Sequence, residues 1–169
     1  TKDKYKNYFW NGAGCCDTGK VKTDDDKYIL ETINSIKQQY PVDPARIYLL
    51  GHSNGGFMVN ELACHHSEYF AAVINLAAGN YSKLSYCQPT SPINYLQVWG
   101  DKDETFSGNH ELGKKIVSAD NLMQFWVSKN QCNKVARIDS KDYFYDLDAV
   151  GGYAIHKNFE GCKNQVDTQ

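Results

Sequence analysis

Ser53 lies in Gly51-His52-Ser53-Asn54-Gly55, the G-x-S-x-G spacing of a serine nucleophile set on a sharp turn. The flanks suit that chemistry. Ile47-Tyr48-Leu49-Leu50 before it is a short apolar run of strand type. Residues 56–64 after it carry Phe57, Met58, Val59, Leu62 and Ala63 in a helix-compatible pattern. Strand, turn and helix would hold Ser53 in a strained conformation with its hydroxyl projecting outward. Gly51 and Gly55 lack a Cβ, so strand and helix could approach closely there.

A serine hydroxyl is a weak nucleophile at neutral pH. It needs an adjacent base, and the base needs an orienting carboxylate. With this motif the chain order is Ser, then Asp or Glu, then His, the acid following a later strand. Val98-Trp99-Gly100-Asp101-Lys102-Asp103 offers Asp103 as first choice and Asp101 as second, although Gly-Asp-Lys-Asp is also good turn chemistry. The base is harder to place. There are five histidines. His52 sits inside the turn, where its side chain should diverge from Ser53. His65 and His66 end the following helix, roughly 15–18 Å along its axis. His110 follows the acid too closely for a separate loop. His156 comes late enough to be an alternative base, but its segment suits a surface or covering histidine better. The backbone N–H of Asn54 would supply one oxyanion donor, and a loop after an earlier strand the other. Upstream there are only residues 9–16 and one helix. Both gaps predict that strands are missing at the two ends.

The elements around these residues alternate. Residues 9–16 read as a strand end running into a glycine-rich loop. Residues 24–40 form an amphipathic helix with Ile29, Ile33, Ile36 and Tyr40 on one face. Asp24, Asp25 and Asp26 stand at its start, where carboxylates cap and complement the dipole; a cation site is the less favoured use of them. Pro41-Val42-Asp43-Pro44 turns the chain into the strand at 47–50. Further strands are expected at 71–77 and 95–99, and Ser118 can cap a helix bearing Leu122, Phe125 and Trp126. Such alternation predicts a parallel sheet flanked by helices. Residues 133–161 are rich in Tyr and turns. They read as an excursion, with two short strands, near the active site.

One domain is expected for 169 residues. A net charge of −2 with scattered Lys and Arg gives no basic groove for nucleic acid and no polybasic membrane patch. No apolar run approaches the roughly 20 residues of a membrane span. Six cysteines without C-x-x-C spacing argue against a metal and for disulfides, hence an oxidising compartment. Six cysteines allow about fifteen pairings; Cys132 with Cys162 is favoured because the two bracket one segment. Asn80-Tyr81-Ser82 is an N-glycosylation sequon.

Taken together, several motifs resemble the secreted esterases of the polyhydroxybutyrate depolymerase and feruloyl esterase group. They are Trp10-Asn11-Gly12-Ala13-Gly14-Cys15-Cys16, Tyr40-Pro41-Val42-Asp43-Pro44-Ala45-Arg46-Ile47-Tyr48 and Gly51 to Met58. Leu62-Ala63-Cys64, Phe70-Ala71-Ala72-Val73, Trp99 to Asp103, Asn130-Gln131-Cys132 and Gly161-Cys162 continue the likeness in order. The resemblance implies an α/β-hydrolase that cleaves carboxylic esters outside the cell by a Ser-His-Asp mechanism, without a cofactor. It implies a polyester or feruloylated-polysaccharide substrate, with Ser53 as nucleophile and Asp103 as acid. The family's histidine follows one more strand, beyond Cys162, and its oxyanion loop precedes Trp10. The resemblance therefore implies that residues 1–169 are an internal piece of one such domain. An S9-type peptidase fits less well, because the cysteine-bearing motifs do not suit it. A reading from another class is a hydrolase-derived protein that binds polyester or polysaccharide through its Tyr-rich segment without turnover.

Overall fold

The computed structural model describes residues 2, 8–13, 15–16, 23–81, 83–104, 116–139 and 154–169. Helix α1 (Asp25–Gln39) leads into strand β1 (Tyr48–His52), helix α2 (Asn54–His65) and strand β2 (Ala72–Leu76). Strand β3 (Asn94–Val98), helix α3 (Ala119–Lys129), and strands β4 (Arg137–Asp139) and β5 (His156–Asn158) follow. The first three strands form a parallel sheet in the order β1-β2-β3, with Leu49, Val73 and Tyr95 aligned across it. This is the expected α/β arrangement.

One face of the sheet carries the core. Val73 and Tyr95 are buried there with Val59, Leu62 and Ala63 of α2 and Leu122, Met123, Trp126 and Val127 of α3. Tyr95 and Trp126 stack with ring centroids 4.7 Å apart. On the other face Tyr48, Leu50 and Val98 are exposed. Side chains alternate between faces along a strand, so burial alternates too.

The helix ends follow capping chemistry. The Asp24 carboxylate accepts the Lys27 N–H at 3.0 Å, and Ser118 Oγ accepts the Asn121 N–H at 3.4 Å. The apolar face of α1 is shorter than its periodicity predicts. Ile29, Leu30 and Ile33 reach the core, but Ile36 and Tyr40 are exposed, so the last turn runs past the packed sheet. Residues 9–13 hold no strand; among the described residues there are only isolated bridges, Lys2 with Tyr8 and Gly12 with Cys15. The loop instead crosses α2. A Cβ on Gly12 would stand 2.6 Å from the Met58 Cα, which explains a glycine at that crossing.

Residues 167–169 run beside β3. Tyr95 N–H donates to the Asp167 carbonyl, Gln169 N–H to Tyr95 and Gln97 N–H to Gln169, each at 2.9 Å. Thr168 thus pairs in parallel with Tyr95 and, on its other side, antiparallel with Phe159. Asn130, fully buried, locks this corner. Its amide accepts the Ile93 N–H and donates to the Ile93 carbonyl and to Thr168 Oγ1.

β4 and β5 form the expected pair of short strands, antiparallel, with a Cys132–Cys162 disulfide at the base. Most of the Tyr-rich stretch, residues 140–153, lies outside the described residues. Cys64 pairs with Cys87 and Cys15 with Cys16. The Cys132–Cys162 bridge spans 30 positions. Replacing both residues by serine is expected to lower stability by about 3–4 kcal/mol in the chain-entropy picture, measured by urea unfolding under non-reducing conditions. The sequon asparagine is not available for modification in the folded chain. Asn80 is fully buried, with its amide nitrogen 3.1 Å from Cys64 Sγ. Among the described residues no helix is long and apolar enough to cross a membrane.

Candidate active site

Ser53 occupies the turn between β1 and α2 with φ 53° and ψ −122°. A side chain at positive φ is strained, and such residues collect at functional sites. The turn is fixed from both directions. Ser53 N–H donates to the Leu76 carbonyl of β2 at 3.0 Å, and its carbonyl accepts the N–H groups of Gly56 and Phe57. Its hydroxyl makes no capping bond to the helix, and the residue is exposed.

The glycines divide their work differently from the sequence expectation. A Cβ on Gly51 would lie 2.2 Å from the Gly55 carbonyl oxygen, and one on Gly56 would lie 2.5 Å from Ala78 Cβ. A Cβ on Gly55 would meet nothing within 4 Å. Close approach therefore depends on Gly51 and Gly56, not on Gly51 and Gly55.

Asn54 is the first residue of α2, so its N–H lies among those with no partner inside the helix. That is the position an oxyanion donor requires. Its side chain has a task that sequence reasoning missed. Oδ1 accepts the Trp10 N–H at 2.6 Å, and Nδ2 donates to the Trp10 carbonyl at 2.8 Å. Asn11 N–H donates to Asp25 Oδ2 at 2.7 Å, and Ala13 N–H to Glu61 Oε2 at 2.7 Å. Three side chains thus hold the 10–13 loop against the start of α1 and along α2.

The acid candidates follow β3 on the same edge of the sheet. His52, Leu76 and Val98 are aligned in register, so Ser53 and the 100–103 turn leave from strand ends two spacings apart, roughly 10 Å. Asp103 N–H closes the turn onto the Gly100 carbonyl at 3.1 Å. Asp103 is half-buried and Asp101 exposed, which fits Asp103 as the better-shielded carboxylate.

Among the described residues no histidine bonds to the Ser53 hydroxyl. His52 is exposed on β1. His65 and His66 stand at the far end of α2, where Nε2 of His65 is 3.4 Å from Glu61 and that of His66 is 3.6 Å from Asp26. His156 Nε2 lies 3.1 Å from Gln169 Oε1. By strand order His156 is beyond the 167–169 segment, four spacings from β1, or roughly 19 Å. His110 lies outside the described residues. A groove of about 700 Å³ runs between Leu84–Thr90 and α3, lined by Phe125 and Lys129. It sits at the entry of β3, the opposite edge from Ser53. Among the described residues no cluster could hold a metal ion.

The three aspartates do more than complement a dipole. Asp24 caps α1, Asp25 is buried against the loop, and Asp26 faces Glu61, His65 and His66. Burial first, then the Glu61 charge, pushes the Asp26 carboxyl from 3.8 up to about 6, against the opposing pull of the two histidines. A raised carboxyl pKa means the folded chain keeps a proton the unfolded chain has released. The contribution to stability is therefore full below about pH 4 and lost as pH rises to about 6. Asp26→Asn is expected to flatten this part of the profile, measured as thermal midpoints from pH 4 to 7.

A parallel sheet flanked by helices, with a strained serine at the β1–α2 turn on the edge where the strands end, is the α/β-hydrolase fold. Residues 7–130 match the profile of the prolyl oligopeptidase family, and the chain belongs to that family. Two curated relatives carry esterase names. "Putative esterase NocK" of Nocardia uniformis subsp. tsuyamanensis is 40% identical over 62 residues, 37% of this chain and 18% of the relative. Feruloyl esterase B of Piromyces equi is 30% identical over 133 residues, 73% of this chain and 24% of the relative. The chain thus spans less than a quarter of the length of either. No solved structure matches it significantly. The expectation that an S9-type assignment fits less well is thus corrected at the level of the family, while both curated relatives are named esterases.

Proposed function

We propose that the chain carries the nucleophile and acid of an extracellular serine esterase acting on feruloyl-type esters. The observation that carries this is Ser53 at φ 53°, ψ −122° in the β1–α2 turn, with Asp103 on the same sheet edge. Ser53 Oγ attacks the ester carbonyl carbon and passes its proton to a histidine, whose imidazole Asp103 orients. The Asn54 N–H stabilises the oxyanion. The alcohol leaves with the proton from the histidine, and water then cleaves the acyl-serine by the same route. The histidine follows the strand position taken by residues 167–169. That position adjoins β3, so a residue beyond it would arrive next to Asp103. His156, one position further out, is the alternative base. A feruloyl rather than a polyester substrate is supported by the name of the relative that covers most of this chain. Three disulfides support an extracellular setting.

Hydrolysis of methyl ferulate by the native secreted protein tests the assignment. Activity abolished by Ser53→Ala and lowered about 10⁴-fold by Asp103→Asn is expected. Unchanged turnover in Ser53→Ala would overturn it. Binding of ferulate with no turnover in the native protein would favour the binding-protein reading instead.

A further inference from the structure

Two large aromatic side chains stand outside the core, Trp10 on the loop that Asn54 holds and Tyr28 on α1. Trp10 is 38% exposed and Tyr28 60%, and neither belongs to the buried clusters. Their ring centroids are 6.4 Å apart with the planes inclined by only 32°. The backbone that carries Trp10 is braced from several sides. Asn54 binds both its N–H and its carbonyl, Asp25 binds the next N–H, the Asn11 side chain donates to the Thr23 carbonyl, and Gly12 is wedged on Met58. Tyr28 lies one helical turn beyond Asp25, so α1 fixes the loop with one residue and meets its ring with the other. Asn54 directly follows Ser53, which puts the Trp10 backbone on the order of 10 Å from the serine. Exposed aromatic surface on a braced backbone is preorganised for contact, since little side-chain or loop freedom is left to lose on binding.

We propose that Trp10 and Tyr28 form the subsite for a flat aromatic ring joined by a short unsaturated spacer to the ester carbonyl, a hydroxycinnamoyl group. The assignment rests on Ser53 as nucleophile, because the subsite is located by the distance of the Trp10 backbone from that residue. Aromatic faces favour a planar ring in offset or tilted contact, and a ring-free acyl group gains little from them. Asn54 then serves the site twice: its N–H meets the oxyanion, and its side chain sets the position of Trp10 relative to that oxyanion.

Calorimetric titration of the Ser53→Ala protein with ferulate, crotonate and a xylo-oligosaccharide tests the subsite without turnover. Ferulate is expected to bind more tightly than crotonate, which shares the unsaturated carboxylate but lacks the ring. Trp10→Ala and Tyr28→Ala should each weaken ferulate binding about tenfold, and Trp10→Phe should largely retain it. Tyr28→Ala changes an exposed helix position, so it answers the question even if Trp10→Ala unfolds the loop. Equal affinities for ferulate and crotonate, wild-type affinity in both alanine variants, or binding of the saccharide alone would each overturn the proposal. Failure of the nucleophile assignment reads out separately, as methyl ferulate hydrolysis that survives Ser53→Ala.

Discussion

Ser53→Ala is expected to lower kcat for ester hydrolysis by on the order of 10⁶, with the fold retained. The size follows from removing the atom that forms the acyl intermediate, so neither the oxyanion donor nor the carboxylate can compensate. The fold should survive because the structure asks little of the hydroxyl. It makes no capping bond, and the contacts that fix the turn run through the Ser53 backbone N–H and carbonyl. What the site does demand is φ 53°, which alanine tolerates no better than serine. Ser53→Gly removes that strain. It should be equally inactive but more stable than Ser53→Ala by about 1 kcal/mol. Thermal melts of the two variants, alongside their activities, separate stored strain from chemistry. Identical melting of both would show that the turn is relaxed.

Gly51→Ala is expected to cost more than about 4 kcal/mol, enough to leave much of the chain unfolded at 37 °C. The new methyl would lie 2.2 Å from the Gly55 oxygen, 2.4 Å from the Gly55 carbonyl carbon and 2.8 Å from the Gly56 nitrogen. All three are backbone atoms at the start of α2, so no side chain can swing aside. The helix would have to shift, taking the Ser53 turn with it. Gly55→Ala is the internal control. Its methyl meets nothing within 4 Å, and alanine favours the helix by up to about 1 kcal/mol. Urea midpoints should therefore move in opposite directions for two glycines four residues apart. If both variants are destabilised alike, the close strand–helix contact at Gly51 is not what holds the turn.

The core elements were legible in the sequence because each combines local signals. Asp24 and Ser118 are capping residues followed by helical periodicity, and β1, β2 and β3 are short apolar runs bounded by turns. The serine turn was legible because strand, motif and helix agree. What sequence missed depends on partners far away in the chain. The 10–13 loop carries glycine and aromatic residues that suit a strand end, but its N–H groups go to Asn54, Asp25 and Glu61. Nothing local announces a side-chain amide standing in for a neighbouring strand. In the same way, Gly55 belongs to the motif while Gly56 does the steric work, because only the packed structure brings Ala78 against it. The end of α1 failed for a related reason. Periodicity marks which face could be buried, but the extent of the sheet decides how many turns are covered.

The Asn130 corner has a consequence for how the molecule opens. One buried amide satisfies both backbone groups of Ile93 and holds Thr168, so the entry of β3, the exit of α3 and residues 167–169 share a single polar junction. A short segment held along one strand edge ordinarily opens at little cost. Here, peeling 167–169 away would strip three hydrogen bonds from β3 and take from the buried Asn130 amide its bond to Thr168 Oγ1. These residues therefore belong to the same cooperative unit as the core, and their amide protons should exchange only when that unit opens as a whole.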